Sequence, residues 1–286
     1  MIDIINCRKN EFPHSAAVAC QGAEGAYSQI AANLVFHNPD IMYMRTFDGV
    51  FRAVDAGLCK YGILPIENSN AGSVTAVYDL MKTHNFFIVR GIKMSISHML
   101  LAKTKTDIKN ITEIYTHEQA AAQCGKFIEA NPHIKIKICD NTAVAAQFVF
   151  ENPRTDIAAI ASEKCAGLYN LFVLAKNIQS NKNNYTRFIC ISKNCEIYEN
   201  ADKISLMLTL ENKPGALYEV IKQFADLQLN LTKLESRPIA DTDFEFMFYF
   251  DIQASIENKD VYDLLIEINQ KSQYFLFLGN YHEIFS

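Results

Sequence analysis

The sequence predicts an α/β protein of two domains, the second of which is a small ferredoxin-like βαββαβ domain. Three observations predict this. The chain has 286 residues, enough for one large or two medium domains. Up to about residue 192, short apolar runs alternate with amphipathic stretches, which is typical of mainly parallel α/β layers. From about residue 204 the order becomes strand, helix, strand, strand, helix, strand.

The elements of the first region are joined by short polar or glycine-containing loops. The predicted strands cover residues 16–20, 61–66, 86–90, 94–101, 134–139, 157–161 and 187–192. One helix begins at Ser28, and the other predicted helices cover residues 74–82, 117–129, 143–150 and 163–169. Sheets of this kind bind ligands beyond the carboxyl ends of their strands, so we expect a site in those loops.

A polar segment without periodicity, residues 193–203, is interpreted as a linker between domains at 16–192 and 204–286. In the second domain the predicted strands cover residues 205–210, 229–239, 244–252 and 274–278, and the helices 215–227 and 260–271. Their lengths agree with the ferredoxin-like arrangement, which by itself names no function.

Composition and charge restrict the partners. Apolar residues make up 49% and charged residues 21% of the chain, as in a folded globular protein. The net charge is −5 and no long basic block occurs, which argues against nucleic acid or an anionic membrane surface. No apolar run reaches the ~18–20 residues that span a bilayer, and the acidic start is unlike a secretion signal. We therefore expect a cytosolic protein.

The sequence contains no cofactor or metal motif. Its eight cysteines form no C-x-x-C pair and have no histidine at zinc-ligand spacing, so we interpret most of them as small buried hydrophobic residues. Dinucleotide, Walker and G-x-S-x-G motifs are also missing. We expect chemistry without metal or cofactor, based on hydrogen bonding, positioning and modest acids.

Two loops that follow predicted strands carry groups suited to an anion. In Gly22–Ser28 the glycines permit a tight turn whose amides face an anion, although an ordinary turn explains them as well. In the second loop, Asn68, Ser69 and Ser73 supply donors for a carboxylate, and a simple capping loop is the alternative. Glu67 would repel an anion, so we expect it to brace the loop.

A third motif starts the helix predicted at 117–129. Thr116 and Gln119 match a capping box, which gives Thr116 a purely structural interpretation. Gln123 lies two turns along the same helix face, so Thr116 and Gln123 would contact one ligand if that face lines a cleft. His117 is interpreted as a surface histidine.

The fourth motif opens the last strand of the first domain. Arg187 offers a carboxylate fork and Phe188 an aromatic wall. In a regular strand Thr186 and Arg187 point to opposite faces, so both reach one ligand only if the strand starts at or after them.

Together these motifs resemble those of the prephenate dehydratase family with a C-terminal ACT regulatory domain, over residues 16–284. Ala26 stands where threonine is common and Tyr218 where a smaller aliphatic residue is frequent, while Ala71 favours prephenate over arogenate. The most specific matches are Pro65–Val74, Thr186-Arg187-Phe188, Gly215-Ala216-Leu217 and Glu235-Ser236-Arg237-Pro238.

The resemblance implies a two-lobed, periplasmic-binding-protein-like catalytic domain with the active site in its cleft. It implies conversion of prephenate to phenylpyruvate with loss of water and carbon dioxide, without a cofactor. Thr186 would act on the leaving hydroxyl. The implied substrate contacts are Asn68, Ser69, Thr116, Gln123, Arg187 and Phe188.

For the second domain the resemblance implies L-phenylalanine as an allosteric inhibitor, bound between paired ACT domains of a homodimer or homotetramer. An unliganded dimerisation module is the alternative for this domain. A two-lobed binding protein without turnover is the alternative for the whole chain. The implied effector contacts are Asn212, Gly215, Ala216, Leu217, Glu235 and Ser236.

Overall fold

The structure is a computed structural model that describes residues 7–9, 11–239 and 245–286. Phe244, the predicted first residue of a strand, lies outside the described residues. The chain divides into two compact units. The central unit comprises Ser15–Thr75, Lys93–Phe188 and Ser286, and the C-terminal unit comprises the described residues up to His14, Ala76–Ile92 and Ile189–Phe285. The boundaries predicted at 192 and 204 remain a prediction.

The described residues contain both helices and strands along their whole length. The helices are α1 (Tyr27–Val35), α2 (Phe47–Asp55), α3 (Thr75–His84), α4 (Glu118–Gln123), α5 (Gly125–Glu129), α6 (Thr142–Glu151), α7 (Glu163–Leu168), α8 (Ala216–Asp226) and α9 (Lys259–Lys271). The strands are β1 (Ala17–Gln21), β2 (Asp40–Met44), β3 (Tyr61–Asn68), β4 (Gly72–Ser73), β5 (Phe87–Ser95), β6 (Met99–Ala102), β7 (Glu113–Thr116), β8 (Lys135–Ile138), β9 (Ile157–Ala161), β10 (Phe172–Ala175), β11 (Tyr185–Ser192), β12 (Lys203–Thr209), β13 (Asn230–Pro238), β14 (Phe246–Gln253), β15 (Tyr274–Tyr281) and β16 (Glu283–Phe285).

The central unit contains two sheets. Within the central unit the first has the order β11-β3-β1-β2, with β4 beside β3. In it β1 runs parallel to β2 and β3. The second has the order β10-β6-β9-β7-β8. Here β7 is parallel to β8 and β9, whereas β6 is antiparallel to β9 and β10. The observed fold is therefore mixed α/β, and the expectation of mainly parallel layers was too simple.

Small apolar side chains allow close packing in the second sheet. All five residues of β9 are buried. Ala143, Ala145, Ala146 and Val149 of α6 belong to the same hydrophobic cluster as residues of this strand. Alanine-rich faces let a helix backbone approach a sheet closely, and each buried methylene contributes about 0.8 kcal/mol. This packing fixes the position of the first turn of α6.

The helix predicted at 117–129 is broken in two, because another segment takes its backbone hydrogen bonds. The Ser180 amide donates to the Gln123 carbonyl at 2.7 Å. The Ser180 hydroxyl accepts from the Lys126 amide at 3.1 Å. These bonds replace those that a continuous helix would form across Cys124, so α4 ends at Gln123 and α5 begins at Gly125.

The C-terminal unit contains the predicted βαββαβ order as β12-α8-β13-β14-α9-β15. Its four-stranded sheet has the order β13-β14-β12-β15, and the pairs are antiparallel. Phe224 of α8 and Leu265 of α9 pack into one hydrophobic cluster with Leu206 and Phe250 of the sheet. This is a ferredoxin-like arrangement. In the same unit β16 lies beside β5.

Six of the eight cysteines are buried, and none of the eight, all of them described residues, forms a disulfide. Two, Cys139 and Cys195, are half-buried. In the part of the chain that the structure describes, none of the helices is both long and apolar enough to cross a membrane.

Gly279 in β15 is required by its surroundings. Its φ is +152°, and a Cβ there would overlap the carbonyl oxygen of Ile88 in β5. We expect Gly279→Ala to lower the free energy of unfolding by about 3 kcal/mol or more, because a backbone atom cannot move aside as a side chain can. Chemical denaturation measures this. Gly125→Ala, where a Cβ meets open space, is the control, and an equal loss in both variants would contradict the prediction.

Candidate active site

An open cavity of about 230 Å³ lies in the central unit, at the ends of several strands and the starts of several helices. Its lining includes Asn68 of β3, Gln123 of α4, and Thr186 and Phe188 of β11. His98, between β5 and β6, also lines it. The cavity thus brings together residues as far apart in the chain as Gln21 and Phe188.

Two of the helices that begin at the cavity are α1 and α6. Tyr27 and Ser28 in the first turn of α1 line it, as does Thr142 in the first turn of α6. The N-cap of α1 is Ala26, which makes no side-chain capping bond, so the threonine hydroxyl common in the family has no counterpart here. At α1 uncapped amides and the helix dipole favour an anionic or acceptor group. At α6 the Val144 amide already donates to Asn141 Oδ1 at 2.9 Å, so the helix dipole makes the larger contribution there.

The turn before α1 requires glycine. Gly25 has a φ of +90°, and a Cβ on it would lie 2.7 Å from the sulfur of Cys165. This close approach allows the chain to turn directly from β1 into α1. The glycine pattern that the sequence analysis singled out therefore shapes the cavity wall.

Asn68 holds the loop between β3 and α3 with one side of its carboxamide and reaches β11 with the other. Its Oδ1 accepts from the backbone amides of Asn70 and Ala71, each at 3.0 Å. The two N–H groups of its Nδ2 are shared among three acceptors: Asn184 Oδ1 at 2.9 Å, Thr186 Oγ1 at 2.9 Å and, more distantly, the Tyr185 carbonyl at 3.1 Å. Asn68 is buried, so these bonds are shielded from water.

The alternation of β11 separates its three motif residues. Thr186 and Phe188 lie on one side of the strand and line the cavity. Arg187 points to the other side, is buried, and places Nη1 3.7 Å from Glu67 Oε2. The strand begins at Tyr185, so the condition for Thr186 and Arg187 to reach the same ligand is not met. Arg187 does not line the cavity.

Two further predicted contacts also lie away from the cavity. The Ser69 hydroxyl donates to the Asn183 carbonyl at 3.1 Å and accepts from the Tyr185 amide at 3.0 Å, so it braces the approach to β11. Thr116 is fully buried and its hydroxyl donates to the Ile160 carbonyl at 3.0 Å. In both residues the hydroxyl is used by the protein itself.

The predicted capping box is wrong. Thr116 is the last residue of β7, and the N-cap of α4 is His117, whose Nδ1 accepts from the Gln119 amide at 3.2 Å. His117 was expected on the open surface, yet it lines the cavity. The β-strand continues one residue further than the motif suggests, which shifts the helix start.

His98 and Asn184 were missed by the sequence analysis. His98 Nε2 lies 2.8 Å from Gln123 Oε1, and Asn184 Nδ2 donates to the same oxygen at 2.9 Å. Both residues are buried. The only sequence indication was a single histidine within an apolar stretch, a pattern more typical of a core residue.

The lining carries little formal charge. Among the described lining residues there is no lysine or arginine, and Asp140 is the one carboxylate. Burial lowers the pKa of His98, an effect that its hydrogen bond to Gln123 opposes, so the ring is neutral near pH 7. Burial also raises the pKa of Tyr27, whose hydroxyl donates to the Ser97 carbonyl at 2.5 Å. Neutral donors and helix ends therefore dominate the cavity.

The predicted effector residues lie in the C-terminal unit. Asn212 and Gly215 are exposed before α8, and Gly215 is its N-cap with a φ of +85°. Ala216 and Leu217 follow in the first turn, and Leu217 packs against the hydrophobic cluster. On β13, Glu235 forms an ion pair with Lys233 at 3.1 Å, and Ser236 is exposed on the opposite face.

The described residues contain no group of three or more histidine, cysteine, aspartate or glutamate side chains placed to hold a metal ion.

Comparisons with curated proteins find close relatives. The Arabidopsis thaliana protein named arogenate dehydratase/prephenate dehydratase 2, chloroplastic, is 35% identical over 275 residues, which cover 92% of this chain and 72% of the relative. The bifunctional chorismate mutase/prephenate dehydratase of Escherichia coli K12 is 32% identical over 275 residues, 94% of this chain and 71% of the relative.

Solved structures show the same fold. A prephenate dehydratase from Arthrobacter aurescens, solved in complex with L-Phe, is 30% identical with a TM-score of 0.84 and covers 93% of this chain and 89% of its own. A protein described as a novel type of quorum quenching acylase is 28% identical with a TM-score of 0.83, covering 93% and 97%.

The family model described as prephenate dehydratase matches residues 18–196, and this range contains every residue that lines the cavity. The chain therefore belongs to the prephenate dehydratase family, whose members are lyases.

Proposed function

We propose that the cavity of the central unit converts prephenate to phenylpyruvate in the cytosol, as a step of L-phenylalanine biosynthesis. The observation that carries the proposal is the hydrogen bond from Asn68 Nδ2 to Thr186 Oγ1 at 2.9 Å. Family membership supports the reaction class, and this bond supports the role of Thr186.

The reaction needs a group that helps a hydroxide leave. Prephenate is a dianion with a ring carboxylate, a ring hydroxyl para to it and a pyruvyl side chain. When the bond to the ring carboxylate breaks, its electron pair enters the ring and the C–O bond to the hydroxyl breaks. The products are carbon dioxide, hydroxide and the phenylpyruvate anion, and hydroxide takes a proton from solvent to become water. Charge develops on the departing oxygen, so a donor placed there lowers the barrier.

The Thr186 hydroxyl is oriented to be that donor. An amide N–H can only donate, so Thr186 Oγ1 accepts from Asn68 and keeps its own hydrogen for another acceptor. Thr186 lines the cavity, where the departing oxygen is that acceptor. One well-placed donor of this kind contributes about 3–4 kcal/mol to transition-state stabilisation.

The remaining cavity groups bind and position the substrate. Gln123 supplies amide N–H groups, and Phe188 forms a wall against the ring. Asn68, whose carboxamide is occupied by protein partners, acts by orienting Thr186. The first turns of α1 and α6 take over the role of counter-charge that the sequence analysis gave to Arg187. Arg187, Ser69 and Thr116 support the site without contacting the substrate.

Replacing the hydroxyl of Thr186 tests its role. We expect Thr186→Val to lower kcat by roughly 10²–10³-fold with little change in KM, because the bond strengthens mainly in the transition state. Thr186→Ser, which keeps the hydroxyl, should remain within about tenfold of the wild type. Phenylpyruvate formation, followed by its absorbance in alkali, measures both.

Thr209→Val, at a buried threonine of β12, is the matched control and should leave kcat unchanged. A Thr186→Val enzyme with normal kcat would remove the donor role. Binding of prephenate without turnover by the wild type would favour a sensor. Cleavage of an N-acyl amide without activity on prephenate would favour an acylase like the one among the similar structures.

L-Phenylalanine is proposed to inhibit through the C-terminal unit, which we interpret as an ACT domain. A similar prephenate dehydratase was solved with L-Phe bound. The strand that carries Glu235 and Ser236 also carries Arg237, whose Nη1 lies 3.0 Å from Asp79 Oδ1 of α3. The chain enters α3 at Thr75, only a few residues after Asn68. Movement of β13 on ligand binding would therefore reach the loop that Asn68 holds through the Arg237–Asp79 ion pair and α3.

The effector site is proposed to be completed by a second copy of the chain in a homodimer or homotetramer. β13 is an outer strand of its sheet, and an outer strand offers unpaired backbone groups to another molecule.

Effector and substrate should weaken each other's binding by the same factor. We expect prephenate to weaken L-phenylalanine binding by roughly 5–150-fold, the usual range of such coupling. Calorimetry on Thr186→Val with excess prephenate measures this, because that variant is expected to consume prephenate far more slowly than the wild type. An L-phenylalanine affinity that is the same with and without saturating prephenate would rule the coupling out.

A further inference from the structure

The orientation of the side chains of Asn68, Asn184, Gln123 and His98 can be deduced from two backbone amides. The N–H groups of Asn70 and Ala71 can only donate, so the Asn68 atom that faces them at 3.0 Å is its oxygen. The Asn68 nitrogen therefore faces Asn184 and Thr186, to both of which it donates.

The same reasoning passes through Asn184 to Gln123. Asn184 accepts from Asn68 at 2.9 Å, so its oxygen faces Asn68 and its nitrogen faces Gln123. The atom of Gln123 that receives this donor at 2.9 Å must be its oxygen. Asn184 is fully buried, so water cannot stand in for either partner.

The last step determines the tautomer of His98. Its Nε2 lies 2.8 Å from the same Gln123 oxygen, which has no hydrogen to give, so Nε2 carries the proton and Nδ1 does not. Nδ1 is buried and has no hydrogen-bond partner among the described residues. A buried acceptor without a partner is costly, and burial lowers the pKa of His98, which keeps Nδ1 unprotonated. Among the described residues, the His98 ring therefore forms one hydrogen bond, from Nε2 to Gln123 Oε1.

Gln123 is therefore held by two donors on its oxygen, while its nitrogen has no partner among the described residues. Because Gln123 lines the cavity, its two N–H groups remain available to a ligand there. We propose that His98 and Asn184 are positioning residues that hold the Gln123 carboxamide with its N–H groups toward a carboxylate of the substrate. This inference rests on the proposed function and deepens it.

The arrangement has a chemical purpose. A freely rotating carboxamide presents its oxygen as readily as its nitrogen, and the oxygen would repel a dianionic substrate. Two donors on Gln123 Oε1 exclude that orientation without placing a cation in the lining. Binding then needs no reorganisation of the amide, which is the advantage of a preorganised donor.

A double-mutant cycle tests whether His98 acts through Gln123. We expect His98→Leu to raise KM for prephenate roughly tenfold or more with a smaller effect on kcat, because the amide contacts the substrate before and during reaction. Gln123→Ala should raise KM at least as much. The double variant should match Gln123→Ala within about threefold, since the imidazole has then lost the group it positions.

The conservative variant separates positioning from general packing. His98→Gln places an N–H donor at the reach of Nε2 and should keep KM within about threefold of the wild type. His133→Leu, at an exposed histidine of the same unit, is the matched control and should have no effect. Additive losses in the cycle, or no rescue by His98→Gln, overturn the inference while the proposed function stands. A wild-type chain that does not convert prephenate overturns both.

A spectroscopic measurement on the unmutated chain is independent of these variants. In ¹⁵N-labelled protein at neutral pH, the imidazole resonances that disappear in His98→Gln belong to this ring. We expect them to show a protonated Nε2 and an unprotonated Nδ1. The opposite tautomer would mean that the Gln123 amide faces the other way, and would overturn the proposal.

Discussion

The site depends on the hydrogen bonds that the side chain of Asn68 accepts from two backbone amides. Those amides belong to the turn between β3 and β4, and their direction is set by the backbone of that turn. A side-chain amide is normally ambiguous, because its two ends have similar size and opposite polarity. Here the two backbone amides determine which end of the Asn68 carboxamide is the oxygen. That orientation determines the direction of the hydrogen bond to Thr186 and, through Asn184, of the one to Gln123. The polarity of the cavity is a consequence of backbone geometry.

The cavity illustrates how an anion can be received without a nearby lysine or arginine. The lining offers neutral amides, a threonine hydroxyl and the first turns of two helices. Such groups are fixed dipoles that need little reorganisation when charge shifts during a reaction. A cationic side chain would bind a carboxylate more strongly, but it would also stabilise the ring carboxylate that has to leave as neutral carbon dioxide. Arg187 lies on the opposite side of its strand, where its Nη1 is 3.7 Å from Glu67 Oε2.

Much of the fold could be predicted, because periodicity reports which face of an element is buried. The βαββαβ order of the C-terminal unit and the strand at Ile157–Ala161 are examples. α2 was overlooked although Thr46 caps it and Val50, Phe51, Ala53 and Val54 are buried. The break at Cys124 could not be predicted, because its cause, Ser180, lies more than fifty residues away. Hydrogen bonds of this range leave no trace in local sequence.

The same limit applies to the site. Alternation along a strand indicated that Thr186 and Arg187 diverge, and the structure places only Thr186 at the cavity. Nothing in the neighbourhood of Thr116 indicated that its hydroxyl is taken by Ile160, 44 positions further on. The bonds that link Asn68, Asn184, Gln123 and His98 join residues 116, 61 and 25 positions apart. Closing loops of such length is entropically expensive, so these contacts form only when most of the central unit is already folded. Catalytic competence is therefore an all-or-none property of that unit, and a nascent chain that has not yet emerged past Asn184 is inert toward substrate.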